Sequence, residues 1–400
     1  MDAQTKRYNL LLIFLSFSVF LFIAGTAIFA TINAPSNQSE IVSAVNNNSD
    51  QELKDKIGQM IMIGFRGQEI NQESNISRSI QELNLGGVIL FDYDVPSKTQ
   101  ERNFSSSAQV RTLISNLQFY AKTPLFVAVD AEGGYVNRLK PEYGFKEVLS
   151  PADIGKKDDP KLAQSEAKKL ADELAYIGVN MNFAPVVDLD INKNNPVIGK
   201  LERSYSEDPQ KVFANSKIFI EEHRKDNIIT VLKHFPGHGS SNNDTHYGIA
   251  DITSTYDPKE LIPYQELEKQ NLVEAVMTAH VIDKNIDNTL PSTLSASFLD
   301  TVLKDKVGFK GIIVSDDMQM GAIIKEYGFQ ESIVKAINAG CDILIFANNN
   351  PEGYDEQIAQ KVHQAIYESV KSGKISLDRI NQAYLKVKEL KAKYGIIANN

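Results

Sequence analysis

Eight short apolar runs recur along residues 51–400, each separated from the next by a longer stretch of helical character. The runs are Ile61–Phe65, Gly87–Phe91, Leu125–Val129, Val179–Pro185, Ile229–His234, Ala275–Val281, Ile312–Asp316 and Cys341–Ala347. Near-continuous apolar character suits parallel strands covered on both faces by helices. The segments Pro160–Ile177, Pro209–Asp226, Pro258–Asn271 and Ser295–Lys306 open on Asp-Pro or on Ser, as helix starts often do. Eight such alternations predict an α/β fold, a single (β/α)8 TIM-type barrel. A doubly wound sheet fits less well, because no strand is followed by G-x-G-x-x-G.

The N-terminus follows another pattern. Lys6 and Arg7 precede an uncharged, largely apolar run over residues 10–32. A helix needs about 20 such residues to cross a bilayer. The positive flank predicts a cytoplasmic segment 1–9 and a signal anchor over 10–32, with the rest of the chain outside the cell membrane. A cleaved signal peptide is the alternative, but Ala30 and Ala34 make a poor cleavage site. Residues 33–50, rich in Asn and Ser, read as a flexible linker, and 51–400 as the barrel. The single cysteine, Cys341, excludes an intrachain disulfide and a cysteine-based zinc site. A net charge of -9 without an evident basic face argues against nucleic acid as a partner. A monomer is expected.

Barrel active sites form at the C-terminal ends of the strands. The chain places acids, bases and cations there repeatedly. Asp130 and Arg138 follow the third run, and Asp188 and Arg203 the fourth. Lys233 and His234 end the fifth, His280 lies in the sixth, and Ser315, Asp316 and Asp317 close the seventh. Each alone reads as a cap or a turn former. Their convergence is expected of a sugar or phosphate site.

The segment after the fifth run reads KHFPGHGSSNNDTHYG and holds His234, His238 and His246. Asp244 stands two positions before His246, a carboxylate placed to orient an imidazole that titrates near neutrality. The histidine spacing matches no usual zinc pattern, so no metal is expected. Asp316, at the mouth of a buried strand, is placed as a carboxylate nucleophile. His246 is the candidate acid/base, the pair that cleavage of a glycosidic bond with retention requires. Asp317 reads as a helix cap, and His238, between two glycines, as a loop-shaping residue.

KHFPGHG and then D-T-H, with D-x-E-G-G-x-V-x-R upstream and S-D-D-M-x-M-G-A downstream, resemble family 3 of the glycoside hydrolases. More narrowly they resemble its bacterial β-N-acetylglucosaminidases, over roughly residues 51–395. The resemblance implies an exo-acting hydrolase of terminal β-linked N-acetylglucosamine in peptidoglycan fragments or chitooligosaccharides. It implies Asp316 as nucleophile, His246 as acid/base and Asp244 as its partner. Asp130, Arg138, Arg203, Lys233 and His234 would hold the sugar hydroxyls and the N-acetyl group. No cofactor is implied. Phosphorolysis, β-glucosidase activity and non-catalytic glycan binding are the alternatives. Two departures stand out: FDYDVPSKTQ where relatives often carry an Arg-Asn pair, and the acidic stretch Val281-Ile282-Asp283 after His280.

Overall fold

The computed structural model describes residues 38–100, 102–244 and 248–398. The chain divides into a unit of residues 1–53 and a unit of residues 54–400. The second is a closed barrel of eight parallel strands, each paired with its neighbours in chain order. These are β1 (Ile61–Gly64), β2 (Gly87–Ile89), β3 (Phe126–Val129), β4 (Met181–Asn182), β5 (Ile229–Phe235), β6 (Ala275–Thr278), β7 (Ile312–Asp317) and β8 (Ile343–Phe346). Closure comes from Ile61 opposite Leu344 in β8 and Met62 opposite Gly87 in β2. Every strand falls within, or extends by one residue, an apolar run of the sequence.

The main helix after each strand is, in order, α1 (Asn75–Leu83), α2 (Ser107–Tyr120), α3 (Pro160–Ile177), α4 (Pro209–Lys225), α5 (Ile262–Lys269), α6 (Ser297–Val307), α7 (Phe329–Ala339) and α8 (Ile358–Lys371). The Asp-Pro starts are N-caps. Asp159 accepts the Lys161 N–H and Asp208 the Gln210 N–H, each at 2.9 Å. Capping satisfies backbone donors that the first turn leaves without partners.

The residues expected as a flexible linker behave differently in part. From Gln38 the chain is helical, as far as Gln59. No Gly or Pro stands between Pro35 and Gly58 to stop the helix, and polar Asn and Ser weaken it without breaking it. The expected membrane segment 10–32 lies outside the described residues. Among the described residues no helix is long and apolar enough to cross a membrane.

One hydrophobic cluster takes alternate residues of successive strands: Phe126 and Ala128, Met181 and Phe183, Ile229 and Val231, Ala275 and Met277, Ile312 and Val314, Ile343 and Ile345. The period of two puts these side chains on one face, the barrel interior. Continued one step towards the C-terminal rim, the same series reaches Asp130 and Lys233, whose side chains meet at 2.7 Å. On β7 the register shifts between Val314 and Asp317, and Asp316 stands within that shift at the strand end.

The terminal helix Leu377–Lys393 covers the opposite end. Its Val387 and Leu390, with Tyr394 just past its end, join the interior cluster. Arg379 pairs with Asp342 at 2.6 Å and Lys393 with Glu274 at 2.7 Å, both just ahead of strand starts. Lys391 is fully buried there. Its ammonium donates to Gln59 Oε1 at 2.8 Å and lies 4.9 Å from the centre of the Phe126 ring.

Burial pushes the Lys391 amine down to about 7. The folded protein therefore binds fewer protons than the unfolded chain between pH 7 and the ordinary lysine value of about 10.4. Stability should rise with pH across that window. K391M should flatten this rise, seen as a smaller gain in unfolding midpoint from pH 7 to pH 9. A slope equal to that of the unaltered protein would contradict it.

Candidate active site

The rim of β3 is built by a hairpin, Ala131–Gly133 paired with Val136–Asn137. Gly133 and Gly134 turn it at φ of +95° and +59°, conformations that favour glycine. A Cβ on Gly134 would also lie 2.5 Å from Ser150 Cβ. The turn brings the Arg138 N–H back to the Asp130 carbonyl at 3.0 Å. It also sets the Arg138 guanidinium 3.4 Å from the Asp130 carboxylate and 3.3 Å from Asp92. The spacing D-x-E-G-G-x-V-x-R is thus the length of one hairpin.

Glu132, within that hairpin, is the hub. It forms a two-pronged ion pair with Arg203, at 2.8 Å from Nε and 2.7 Å from Nη2. It also pairs with Lys233 at 2.6 Å, and Lys233 reaches on to Asp130 at 2.7 Å. Arg203 Nη2 further donates to His234 Nε2 at 3.2 Å, and His234 Nδ1 lies 2.7 Å from Asp188. The result is one continuous chain: Asp188, His234, Arg203, Glu132, Lys233, Asp130, Arg138, Asp92.

The electrostatics follow from that order. Burial pushes Asp130 up, but the Lys233 and Arg138 charges outweigh it and hold the group well below the ordinary carboxylate range. Burial likewise opposes ionisation of Glu132, and the Arg203 and Lys233 charges overcome it. His234 is pushed well down, by burial first and then by the Arg203 and Lys233 charges. A neutral His234 must donate from Nδ1 to Asp188 and accept at Nε2 from Arg203, which is the arrangement seen. Asp188 is pushed up by burial, although the His234 and His238 backbone N–H groups donate to it at 3.2 Å and 2.8 Å.

Asp316 stands near the end of β7, and its charge acts on both His234 and His238. The Asp317 N–H donates to Asp316 Oδ1 at 2.8 Å, fixing the carboxylate. Asp317, expected as a helix cap, instead ends β7: it accepts from Gln319 N at 3.1 Å and Ala347 N at 3.0 Å, while the next helix, Gly321–Tyr327, starts at Met320 without a side-chain cap. His280 donates from Nε2 to the Asp317 carbonyl at 3.0 Å, and its Nδ1 lies 2.8 Å from Thr293 Oγ1, so it braces the β7 rim.

The structure thus brings together Asp130, Arg138, Arg203, Lys233, His234 and Asp316. Asp244 lies further along the loop after β5, and His246 lies outside the described residues. Sequence reasoning gave no role to Glu132 or Asp92. Glu132 stands in the same short motif as Asp130, a signal that could have been read. An Arg-Asn pair does follow β2: it is Arg102–Asn103, displaced by the hairpin Tyr93–Asp94 with Thr99–Gln100. Buried Arg102 binds Asp94 at 2.8 Å and the Phe65 carbonyl at 2.9 Å, tying the β1 and β2 rims together. Among the described residues no cluster of His, Cys, Asp and Glu is arranged to hold a metal ion.

A (β/α)8 barrel whose C-terminal rim gathers this array of carboxylates and cations is of the class that binds polar ligands at the strand ends. Residues 52–390 match the family model described as the glycosyl hydrolase family 3 N terminal domain. The chain belongs to that family and is a glycoside hydrolase. It is 33% identical over 300 residues to a β-hexosaminidase of Tolumonas auensis, covering 72% of this chain and 83% of that one. A β-hexosaminidase of Stenotrophomonas maltophilia is 32% identical over 315 residues, covering 75% and 86%. A family 3 β-N-acetylglucosaminidase from a Paenibacillus species superposes with a TM-score of 0.78 at 32% identity. That match covers 87% of this chain but 64% of the longer Paenibacillus chain. A β-N-acetylhexosaminidase of Beutenbergia cavernae gives a TM-score of 0.72 at 26% identity, covering 86% and 98%.

Removing Glu132 would leave Arg203 and Lys233 without their shared carboxylate in a buried site. E132A should lose about 3–5 kcal/mol of folding stability in urea titration. A loss under about 1 kcal/mol, the range of an exposed pair, would contradict the hub role.

Proposed function

We propose that the protein is an exo-acting, retaining β-N-acetylglucosaminidase that removes terminal β-linked N-acetylglucosamine from peptidoglycan fragments or chitooligosaccharides. The observation that carries this is Asp316, at the end of β7 with its charge acting on His234 and His238, on the rim where Asp130, Glu132 and Arg203 are held as ions. The β-hexosaminidase relatives support the choice of sugar.

In this reading Asp130 and Arg138, which keep open surface, meet the sugar directly. Asp130 accepts from hydroxyls, and Arg138 donates. Lys233 and His234 border the same space, and Arg203 holds Glu132 and His234 in place. Asp316 Oδ attacks the anomeric carbon as the glycosidic C–O bond breaks, and His246 gives its proton to the departing oxygen. His246, held by Asp244, then takes a proton from water, whose oxygen attacks the anomeric carbon and frees Asp316. Residues 10–32 anchor the protein in the cell membrane with the barrel outside. Recovery of the full chain in the soluble fraction, uncleaved, would contradict the anchor.

D316A should lower kcat on an aryl β-N-acetylglucosaminide by at least about a thousandfold. Proton NMR of the unaltered enzyme should show the β-anomer of N-acetylglucosamine first. An α-anomer first, or activity surviving in D316A, would overturn the mechanism. Release of the sugar 1-phosphate in phosphate buffer would identify a phosphorylase instead.

A further inference from the structure

The loop after β5 leaves the barrel through a narrow passage. On one side stands the Leu189 carbonyl, which a Cβ on Gly239 would approach to 1.7 Å. On the other stands Glu260, whose Cβ would lie 2.5 Å from a Cβ on Gly237. Gly237 also has φ of +134°. These two glycines let the backbone pass between its walls, so they are packing positions rather than hinges. A Cβ on Gly248, by contrast, would meet nothing within 4 Å among the described residues.

Glu260 is out of place by ordinary rules. It sits in the turn Pro258–Leu261 that opens α5, where an acid usually faces solvent, yet it is fully buried. Its Oε2 accepts the Gly239 N–H at 2.9 Å. Around it the same loop is fastened elsewhere: Asp188 takes the His238 N–H, and Asn195 Nδ2 donates to the His238 carbonyl at 2.7 Å and the Ser241 carbonyl at 3.0 Å. Tyr256 OH donates to the Pro236 carbonyl at 3.1 Å. Asp244 comes three residues after Ser241, and His246 two later. Burial of a carboxyl carries a cost that a hydrogen-bonding task must offset.

We propose that Glu260 is a positioning residue for acid/base catalysis: from the turn ahead of α5 it fixes the Gly239 backbone and so sets where the Asp244–His246 arm starts. This rests on the proposed role of His246. Glu260 touches no sugar. Its loss misplaces the proton donor and leaves the sugar-binding ions on β3 and β5 intact. Burial pushes the carboxyl up to about 8, so the neutral acid prevails at pH 7, and glutamine reproduces both its shape and its acceptor oxygen.

The test uses leaving groups. A dinitrophenyl glycoside departs without a proton, whereas the disaccharide chitobiose needs one. For E260A, kcat/KM on chitobiose should fall by roughly tenfold to a hundredfold, the scale of a misplaced catalytic group. On dinitrophenyl β-N-acetylglucosaminide the fall should stay under about threefold, since the proton donor is not needed there. Azide should speed kcat of E260A by replacing base-assisted water, and E260Q should recover most of the loss on chitobiose. Equal losses on both substrates, or none on either, would overturn the proposal. If circular dichroism shows E260A unfolded, E260D, whose carboxyl is drawn back from Gly239, is judged by the same criteria. H246A run alongside separates the two ideas. H246A selective for chitobiose with E260A unselective sinks this inference alone, whereas an unselective H246A sinks the acid/base assignment and this inference with it.

Discussion

The ion pairs of Glu132 with Arg203 and Lys233 organise the rim. Three elements meet there: the β3 hairpin, the loop after β4 and the end of β5. Each charge is buried, and a buried charge is tolerated only when opposite charges and hydrogen bonds surround it. The chain of contacts therefore extends outward until it reaches groups with open surface, Asp130 and Arg138, with side-chain exposures of 16% and 27%. Order at the open end is inherited from the closed end. A ligand meeting Asp130 meets a carboxylate already oriented and already ionised, so little reorganisation remains to be done on binding.

The loop after β5 is governed by a different constraint, steric rather than electrostatic. Its backbone runs between Leu189 and Glu260 with no room for side chains at 237 and 239. Asp188 links the two constraints, because one carboxylate takes both His234 Nδ1 and the His238 N–H. The rim ions and the arm that follows the loop are thus referenced to the same buried acid. At the far end of the barrel, Lys391 plays no part in this network, and its burial against Phe126 belongs to the closure of the barrel bottom.

The periodic parts of the fold were legible in the sequence. Strand positions came from eight apolar runs, and helix starts from Asp159 and Asp208 ahead of proline. Residues 38–50, expected as part of a linker from their polar composition, are helical, since no Gly or Pro interrupts them. Asp130, Lys233 and Asp316 were legible because polar residues ending apolar strands break a pattern. Glu132 was not, since an acid beside two glycines in a polar motif reads as a solvated turn. Glu260 was hidden for the same reason: at a helix start an acid is ordinary, and only its direction is not.

By itself the sequence determined the barrel, the order of its strands and the set of polar residues delivered to its C-terminal rim. Period-two and helical patterns are local properties, and parallel strands with short helical crossovers leave few ways to assemble. Tertiary structure alone decided who pairs with whom: Glu132 with Arg203 across 71 positions, Lys233 with Asp130 across 103, and Glu260 under Gly239. Those partnerships depend on barrel closure, which sets strand ends side by side at hydrogen-bonding distance. No local pattern encodes a contact made only when the ring is complete.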